Sequence, residues 1–406
     1  MNASRAAGIL SLAITGVAVA ACARQATDVR VRPGGTSPAI TVADLRSRLY
    51  LYADDSMMGR EAGTPGNTRA TAYLGAEVAR LGLEPAGDSG TYFQEIQAQS
   101  TRFRGGPPGT SRNVIAILRG SDPVLRNEYV AVGAHNDHVG IRRGGPVDHD
   151  SLKAYNEAVS RLGAPHWDRD QGAKRDSLRD SVKVNLDSLR RIRPARLDSI
   201  NNGADDDGSG TVTLLEIAEA LVNMPVKPKR SILFVWHTAE EKGLLGAKWF
   251  TDHPTVPREQ IVAQLNLDMV GRGGAADIAG GGPDYLQLVG SRRVSSELGD
   301  IIEKANTESP RPFKFDYQFD APRHPERIYC RSDHYMYARY GIPVTFFTTG
   351  LHPDYHQVTD EPQYINYEHL ARITNFVRDI TVRLADLDHR PKVDKPVGDP
   401  AAPCVQ

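Results

Sequence analysis

"SILFVWHTAEEKGLLG", residues 231–246, runs from a near-continuous apolar segment straight into two adjacent glutamates. An apolar run without polar alternation belongs to a strand buried on both faces, in a sheet covered by helices above and below. Segments of the same kind recur at "NVIAILRG" (113–120), "EYVAVGAH" (128–135), "IVAQLNLDMVG" (261–271) and "VTFFTTG" (344–350). Amphipathic segments stand around them: "GNTRATAYLGAEVARLGL" (66–83), "GTVTLLEIAEALVNM" (210–224), "ELGDIIEKANTE" (297–308) and "EHLARITNFVRDITVRLADL" (368–387). Strands alternating with helices predict the α/β class.

The residues at the strand ends point to chemistry. His135 and Asp137 close the second run, Glu240 and Glu241 the third, Asp268 the fourth, and His356 comes after the fifth. "NGADDDGSGT" (202–211) places three consecutive aspartates immediately before a helix. In open α/β sheets ligands bind beyond the carboxyl ends of the strands. Any one of these residues has an ordinary explanation as a surface carboxylate or a core histidine. Together they describe one metal site. A His/Asp/Glu set without thiolates suits zinc or a similar divalent ion. One aspartate bridging two cations would explain how the turn tolerates so much negative charge. Neighbouring Glu240 and Glu241 point differently, so one can bind metal while the other moves protons.

The rest of the composition excludes more than it adds. The chain has 406 residues, 40% of them hydrophobic and 24% charged, enough to bury a substantial core. A formal net charge of −1 gives no field that would gather nucleic acid or a membrane surface. Beyond residue 22 no apolar run approaches the length a spanning helix needs. The N-terminus, "MNASRAAGILSLAITGVAVAACARQ", places Arg5 before an apolar run from Ala6 to Ala21, which reads as a signal peptide over 1–21. The segment "VAAC", ending at Cys22, resembles a bacterial lipoprotein box. Residues 22–41 then read as a tether, and the membrane is reached only through a lipid at Cys22. That implies an exported, periplasmic protein. Cys330 and Cys404 are the remaining cysteines, and their spacing leaves open whether they pair.

The motifs resemble those of the secreted bacterial zinc aminopeptidases, a family of cocatalytic dizinc exopeptidases related to glutamate carboxypeptidase and, more distantly, glutaminyl cyclase. The resemblance covers residues 42–388 and includes every metal-ligand position in the expected order. It implies a mixed, mostly parallel central sheet with helices on both faces, two zinc ions per chain, and peptides as substrates. It implies that His135, Asp206 and Asp268 hold one zinc, and that Asp206, Glu241 and His356 hold the other. Asp206 is chosen as the bridge because the family's bridging aspartate stands three residues before the serine of the turn, here Ser209. The peptide bond after it is expected to be cis. Glu240 matches the general base, Asp137 the carboxylate that orients His135, and Tyr355 a tyrosine that stabilises the oxyanion in some members. Asp360 and "RSDH" (331–334) fall in similar motifs, with Asp333 and His334 expected at the cleft wall.

Two departures from the family pattern stand out. The short interval after "YFQEI" leaves no room for the protease-associated domain of larger relatives. The interval between His135 and Asp206 is instead long, and residues 142–203 are expected to form a helical insertion. Leu178, Val182, Leu186 and Leu189 lie at helical spacing within it. Its charge suits a solvated surface helix, whereas its anchorage between metal ligands suits a lid. Residues 389–406 form a Pro-rich tail. The function expected is a zinc-dependent aminopeptidase. The alternatives on this fold are a glutaminyl cyclase, a carboxypeptidase acting on acidic peptides, and a non-catalytic binding module.

Overall fold

The computed structural model describes residues 35–96, 111–165, 172–178 and 181–406. The expected leader, Cys22 and the tether up to residue 34 lie outside these. The strands are β1 (Glu84–Pro85), β2 (Phe93–Glu95), β3 (Arg112–Leu118), β4 (Tyr129–His135), β5 (Val147–Asp148), β6 (Leu197–Asp198), β7 (Ser231–His237), β8 (Ile261–Leu267), β9 (Tyr285–Val289), β10 (Lys314–Asp316) and β11 (Val344–Thr348). The helices are α1 (Val42–Tyr52), α2 (Pro65–Arg80), α3 (His149–Arg161), α4 (Gly172–Leu178), α5 (Leu186–Ile192), α6 (Gly210–Val222), α7 (Leu245–Asp252), α8 (Ser296–Thr307), α9 (His334–Ala338) and α10 (Tyr367–Asp386).

The central sheet runs in the order β1-β3-β7-β4-β8-β11-β9-β10, with β2 pairing β3 at one edge. β7, β4, β8 and β11 are mutually parallel, while β3 and β9 flank them antiparallel. Every residue of those four parallel strands is buried, as their apolar runs require. Strand alternation then divides each run between two cores. Val130, Val132, Phe234 and Trp236 face a layer built by α1, α2, α6 and α10, through residues such as Leu49, Leu74, Leu214 and Ile373. Ala131, Leu233 and Val235 face the other side, against Phe250 of α7 and Tyr337 of α9. Each such aliphatic or aromatic side chain contributes about 1.5–3 kcal/mol by leaving water. The fold is therefore the mixed, mostly parallel α/β arrangement expected.

Helix ends follow their capping residues. Thr41 accepts the Asp44 N–H at the start of α1, and Ser295 accepts that of Leu298 at the start of α8. The last residues of the expected tether are held against the domain: Thr36 bonds Glu219, and Ser37 bonds Asp44. At the other end the Pro-rich tail folds back. Cys404 forms a disulfide with Cys330, and the Gln406 side chain bonds the carbonyls of Phe319 and Ala321.

Among its described residues the insertion is helical in α3, α4 and α5, with the β5–β6 ribbon at its base. The single helical phase expected through Leu178, Val182, Leu186 and Leu189 is broken. Leu178 ends α4, Leu186 begins α5, and Val182 lies in neither. The reason is local competition by polar side chains. The Ser181 hydroxyl bonds the Leu178 carbonyl, and Asn185 caps α5 by accepting the Ser188 N–H.

Candidate metal centre

Four parallel strands ending on one edge put four loops side by side. β4 ends in His135, β7 leads through Thr238 and Ala239 to Glu240 and Glu241, β8 is followed by Asp268, and β11 leads to the loop carrying Tyr355 and His356. The turns there are tight. Ala239, Met269 and His356 adopt φ values of 55°, 56° and 55°, a left-handed conformation that costs side-chain-bearing residues energy and is held by the surroundings. Buried Arg60 fixes the approach to the aspartate turn by donating to the carbonyls of Asn202 (2.6 Å) and Gly203 (2.8 Å).

The three aspartates have three destinations. Asp205 accepts the Gly271 N–H (2.6 Å) and faces His352 Nε2 at 3.1 Å. Asp207 accepts backbone N–H groups of His135, Gly210 and Met269, so its oxygens serve the main chain. Asp206 alone turns both oxygens to imidazoles, Oδ1 to His135 Nε2 at 3.1 Å and Oδ2 to His356 Nε2 at 3.0 Å. The peptide bond between Asp206 and Asp207 is cis. Asp360 accepts the N–H groups of Asp205 and Asp206, which gives it a structural place beneath the turn.

Around Asp206 the remaining donors form two groups. On one side His135 Nε2 stands 3.7 Å from Asp268 Oδ1. On the other, His356 Nε2 stands 3.0 Å from Glu241 Oε2, and His138 Nδ1 stands 2.9 Å from Glu241 Oε1. Asp207 is near enough to the first group to serve as a donor there, but its backbone bonds leave Asp206 the better placed. Burial opposes charge on these groups, and their mutual attraction overrides it. The His135, His356 and His138 rings hold the Asp206 carboxyl well below its usual range despite its burial. His356 is raised to about 10 by Glu241 and Asp206, against its burial, and Glu241 is lowered to about 2, chiefly by His356. Divalent cations would meet the same carboxylates with neutral imidazoles as co-ligands. The nitrogen and oxygen donor set, without sulfur, fits zinc.

Glu240 lies beside this pair without joining it. Its N–H donates to Asp137 Oδ1 at 3.0 Å, and burial, with Glu241 and Asp268 nearby, pushes its carboxyl well up. Asp137 reaches His135 mainly through its main-chain carbonyl, 3.1 Å from Nδ1, with the carboxylate at 3.7 Å. Arg331 donates to the Tyr355 hydroxyl at 3.2 Å. A pocket opens here, lined by Asp206, Glu240, Asp268, Tyr355 and His356 on its polar side and by Met269, Phe319, Ile328, Phe346 and Leu351 on its apolar side.

Asp333 and His334 do not stand at that wall. Asp333 is fully buried behind it, 3.3 Å from His237 Nδ1, and the His334 ring packs on Phe346. The turn leading into α9 carries them inward and leaves Arg331 and Ser332 at the pocket, where Ser332 Oγ donates to Asp268 Oδ2 at 2.7 Å. Sequence reasoning marked the motif that holds Arg331 and Ser332 but put its other two residues at the wall, and it missed His138. His138 had a visible signal: it stands in "HNDH" (135–138), directly after Asp137.

Known proteins are similar to this chain in sequence and in fold. The chain is 27% identical over 239 residues to leucine aminopeptidase 1 of Aspergillus fumigatus, covering 55% of this chain and 58% of the relative. Against leucine aminopeptidase 1 of Penicillium rubens it is 28% identical over 198 residues, covering 46% and 47%. The chain thus spans about half the length of these curated relatives. Among solved structures, the zinc aminopeptidase BSAP of Bacillus subtilis superposes with a TM-score of 0.55 at 15% identity, covering 89% of this chain and 100% of that one. The glutaminyl cyclase of Porphyromonas gingivalis superposes at 0.54 and 18%, covering 84% and 97%. At these identities the structures attest the fold. The model of peptidase family M28 matches residues 113–381, more than half the chain and every residue gathered at the four strand ends, and the chain belongs to that family.

Proposed function

We propose that the protein is a metal-dependent aminopeptidase with two zinc ions per chain. His135, Asp206 and Asp268 hold one zinc, and Asp206, Glu241 and His356 the other. The observation that carries this reading is Asp206, whose two oxygens serve two separate donor groups 3.1 and 3.0 Å away. Metal ions held by these residues would supply Lewis acidity and lower the pKa of a water. Glu240, outside the ligand set and beside it, takes a proton from that water and returns it to the leaving amine. Tyr355 offers its hydroxyl to the oxyanion of the cleaved carbonyl, and Arg331 holds that hydroxyl in place. Asp137 fixes both His135 and the backbone of Glu240. The apolar side of the pocket accommodates an aliphatic or aromatic side chain next to the scissile bond.

A second reading has its own support. Arg331, at the pocket beside Tyr355, is a group that a free carboxylate would pair with, as an acidic-peptide carboxypeptidase requires. Amino-blocked and carboxy-blocked peptides with the metal-loaded enzyme separate the two. Aminopeptidase activity requires cleavage of the carboxy-blocked peptide only; the converse pattern overturns it. Two zinc ions per chain by elemental analysis argue against the single-zinc glutaminyl cyclase alternative.

The protein is also proposed to be exported and held in the periplasm by a lipid on Cys22. Its support is the apolar run ending at that cysteine and the Cys330–Cys404 disulfide, which belongs in an oxidising compartment. Metabolic labelling with a fatty acid should mark the wild type and not Cys22→Ser.

A further inference from the structure

His138 is fully buried, its Nε2 has no hydrogen-bond partner, and its Nδ1 faces only a carboxylate, that of Glu241. Leaving buried polar atoms unmatched costs about 1–3 kcal/mol each, so such an imidazole needs an explanation. Two buried carboxylate oxygens stand against it, Asp206 Oδ2 and Glu241 Oε1, and both face imidazole nitrogens. They converge on one point: His138 Nδ1 lies 2.9 Å from Glu241 Oε1 and 3.7 Å from Asp206 Oδ2. The His356 ring closes the same space, edge-on to His138 at 5.5 Å between centroids.

The ring is held in this direction by its surroundings. The His138 N–H donates to the Arg60 carbonyl. Gly203, at φ 53°, passes so close that a Cβ there would stand 2.5 Å from the His138 ring carbons. Backbone on both sides therefore leaves Nδ1 facing the two carboxylates. Its donor atom and those of Asp206, Glu241 and His356 all lie within 4.8 Å of one another, as one ion requires.

We infer that His138 is a further protein ligand to the second metal, which is then held by His138, Asp206, Glu241 and His356. This inference rests on the dizinc reading above. It makes the pair unequal. The metal on the His135 side keeps three side-chain ligands and an open position, whereas the other approaches the closed four-ligand arrangement of a firmly retained ion. The second site therefore fills first and releases its ion last.

The test is a zinc titration of metal-stripped protein against a chromophoric chelator, with His138→Ala and His138→Gln beside the wild type. The wild type should bind two zinc ions, the tighter one at the second site. Each variant should weaken that tighter binding by at least ~100-fold, the top of the range seen when outer partners of a ligand are removed, and leave the other unchanged. X-ray absorption fine structure of the dizinc wild type, which needs no variant to fold, should show three imidazoles shared by two zinc ions. Two imidazoles shared by two zinc ions, or variants that retain both wild-type affinities, would overturn the assignment of His138 while leaving the dizinc site standing. A wild type that binds no zinc would instead remove the dizinc reading itself.

Discussion

Helix α6 lies between two buried clusters of carboxylates that are resolved in opposite ways. At its N-terminal end stand Asp205, Asp206 and Asp207, with Glu240, Glu241 and Asp268 across the strand ends. Further along, Glu216 and Glu219 join Glu77 of α2 around the guanidinium of Arg48, which is 2% exposed. Arg48 reaches Glu77 at 2.8 Å and Glu216 at 2.5 Å and also pairs Glu219, while Arg80 adds a bond to Glu77 at 2.9 Å. This second cluster carries its own cations. In the first, the oxygens of Asp206 and Glu241 face imidazoles. In this chain the acids form a structural network where arginine meets them, and a candidate metal site where histidine does. The kind of side chain that answers the acids, rather than the acids themselves, is the functional signal.

The sharpest way to break this contrast is at the bridge. Asp206→Asn removes half of one carboxylate shared by both donor groups, so bound zinc should fall toward none by elemental analysis and peptide hydrolysis should fall to the blank rate. Retention of both ions would mean that Asp207 bridges instead. The next effect is at the glutamate doublet. Glu240→Gln should keep its metal and lose about 10²–10⁴-fold in kcat, the usual worth of a positioned base. Glu241→Gln should lose metal first and activity as a consequence. Reversal of these two phenotypes would shift the assignment by one residue.

At the arginine-closed cluster the expectation is one of stability. Arg48→Met leaves buried Glu216 without its cation and takes one of two cationic partners from Glu77 and Glu219, and should cost about 3–5 kcal/mol, seen as a lower Tm, while zinc stoichiometry below the transition is unchanged. The same cluster has a pH signature. Burial raises Glu216 from its ordinary 4.5 to about 7, with Arg48 opposing. The folded chain therefore holds a proton there that the unfolded chain has released. Stability from this group is full below pH about 4.5, falls as pH rises through about 7, and is level above. Thermal melts of Glu216→Gln should show that slope flattened. An unchanged slope would place the titration elsewhere.

Much of the site is legible in the sequence, for a physical reason. A strand buried on both faces must be apolar throughout, so a polar residue at its end marks the sheet edge, and His135, Glu240, Glu241 and Asp268 stand at those edges. The parts that are not legible depend on side-chain direction or distant pairing. His138 looks like any core histidine until its ring is seen wedged between Gly203 and Glu241. Asp333 and His334 turn inward at the start of α9, toward His237 and Phe346. Arg48 meets Glu216 across 168 positions, and Cys330 meets Cys404 across 74, separations that no periodicity records. The helical insertion is legible as composition, but its break between Leu178 and Leu186 arises from single hydroxyl and amide bonds at Ser181 and Asn185.

The insertion yields the smallest expected effect. It is tied directly to the segment that carries His356. Lys153 of α3 pairs Asp354 at 2.6 Å and lies over the Tyr364 ring at 4.1 Å, while His149 stacks on the same tyrosine. Asp354 is also held by Arg272 at 3.0 Å, and the two cations together lower its carboxyl to about 2 despite its burial. Loss of α3 therefore removes one of two cationic partners and leaves Asp354 paired. We propose that the insertion shapes access to the pocket, with the chemistry left to the strand ends. Replacement of residues 146–198 by a short Gly/Ser linker should leave zinc binding intact and hydrolysis of single aminoacyl amides within about tenfold, or about 1.4 kcal/mol. Longer peptides should be cleaved faster than by the wild type. A ratio of long-peptide to amide kcat/KM that does not move would reduce the insertion to a solvated surface feature. Loss of folding would make α3 part of the structural core around Asp354, and the lid would fall with it.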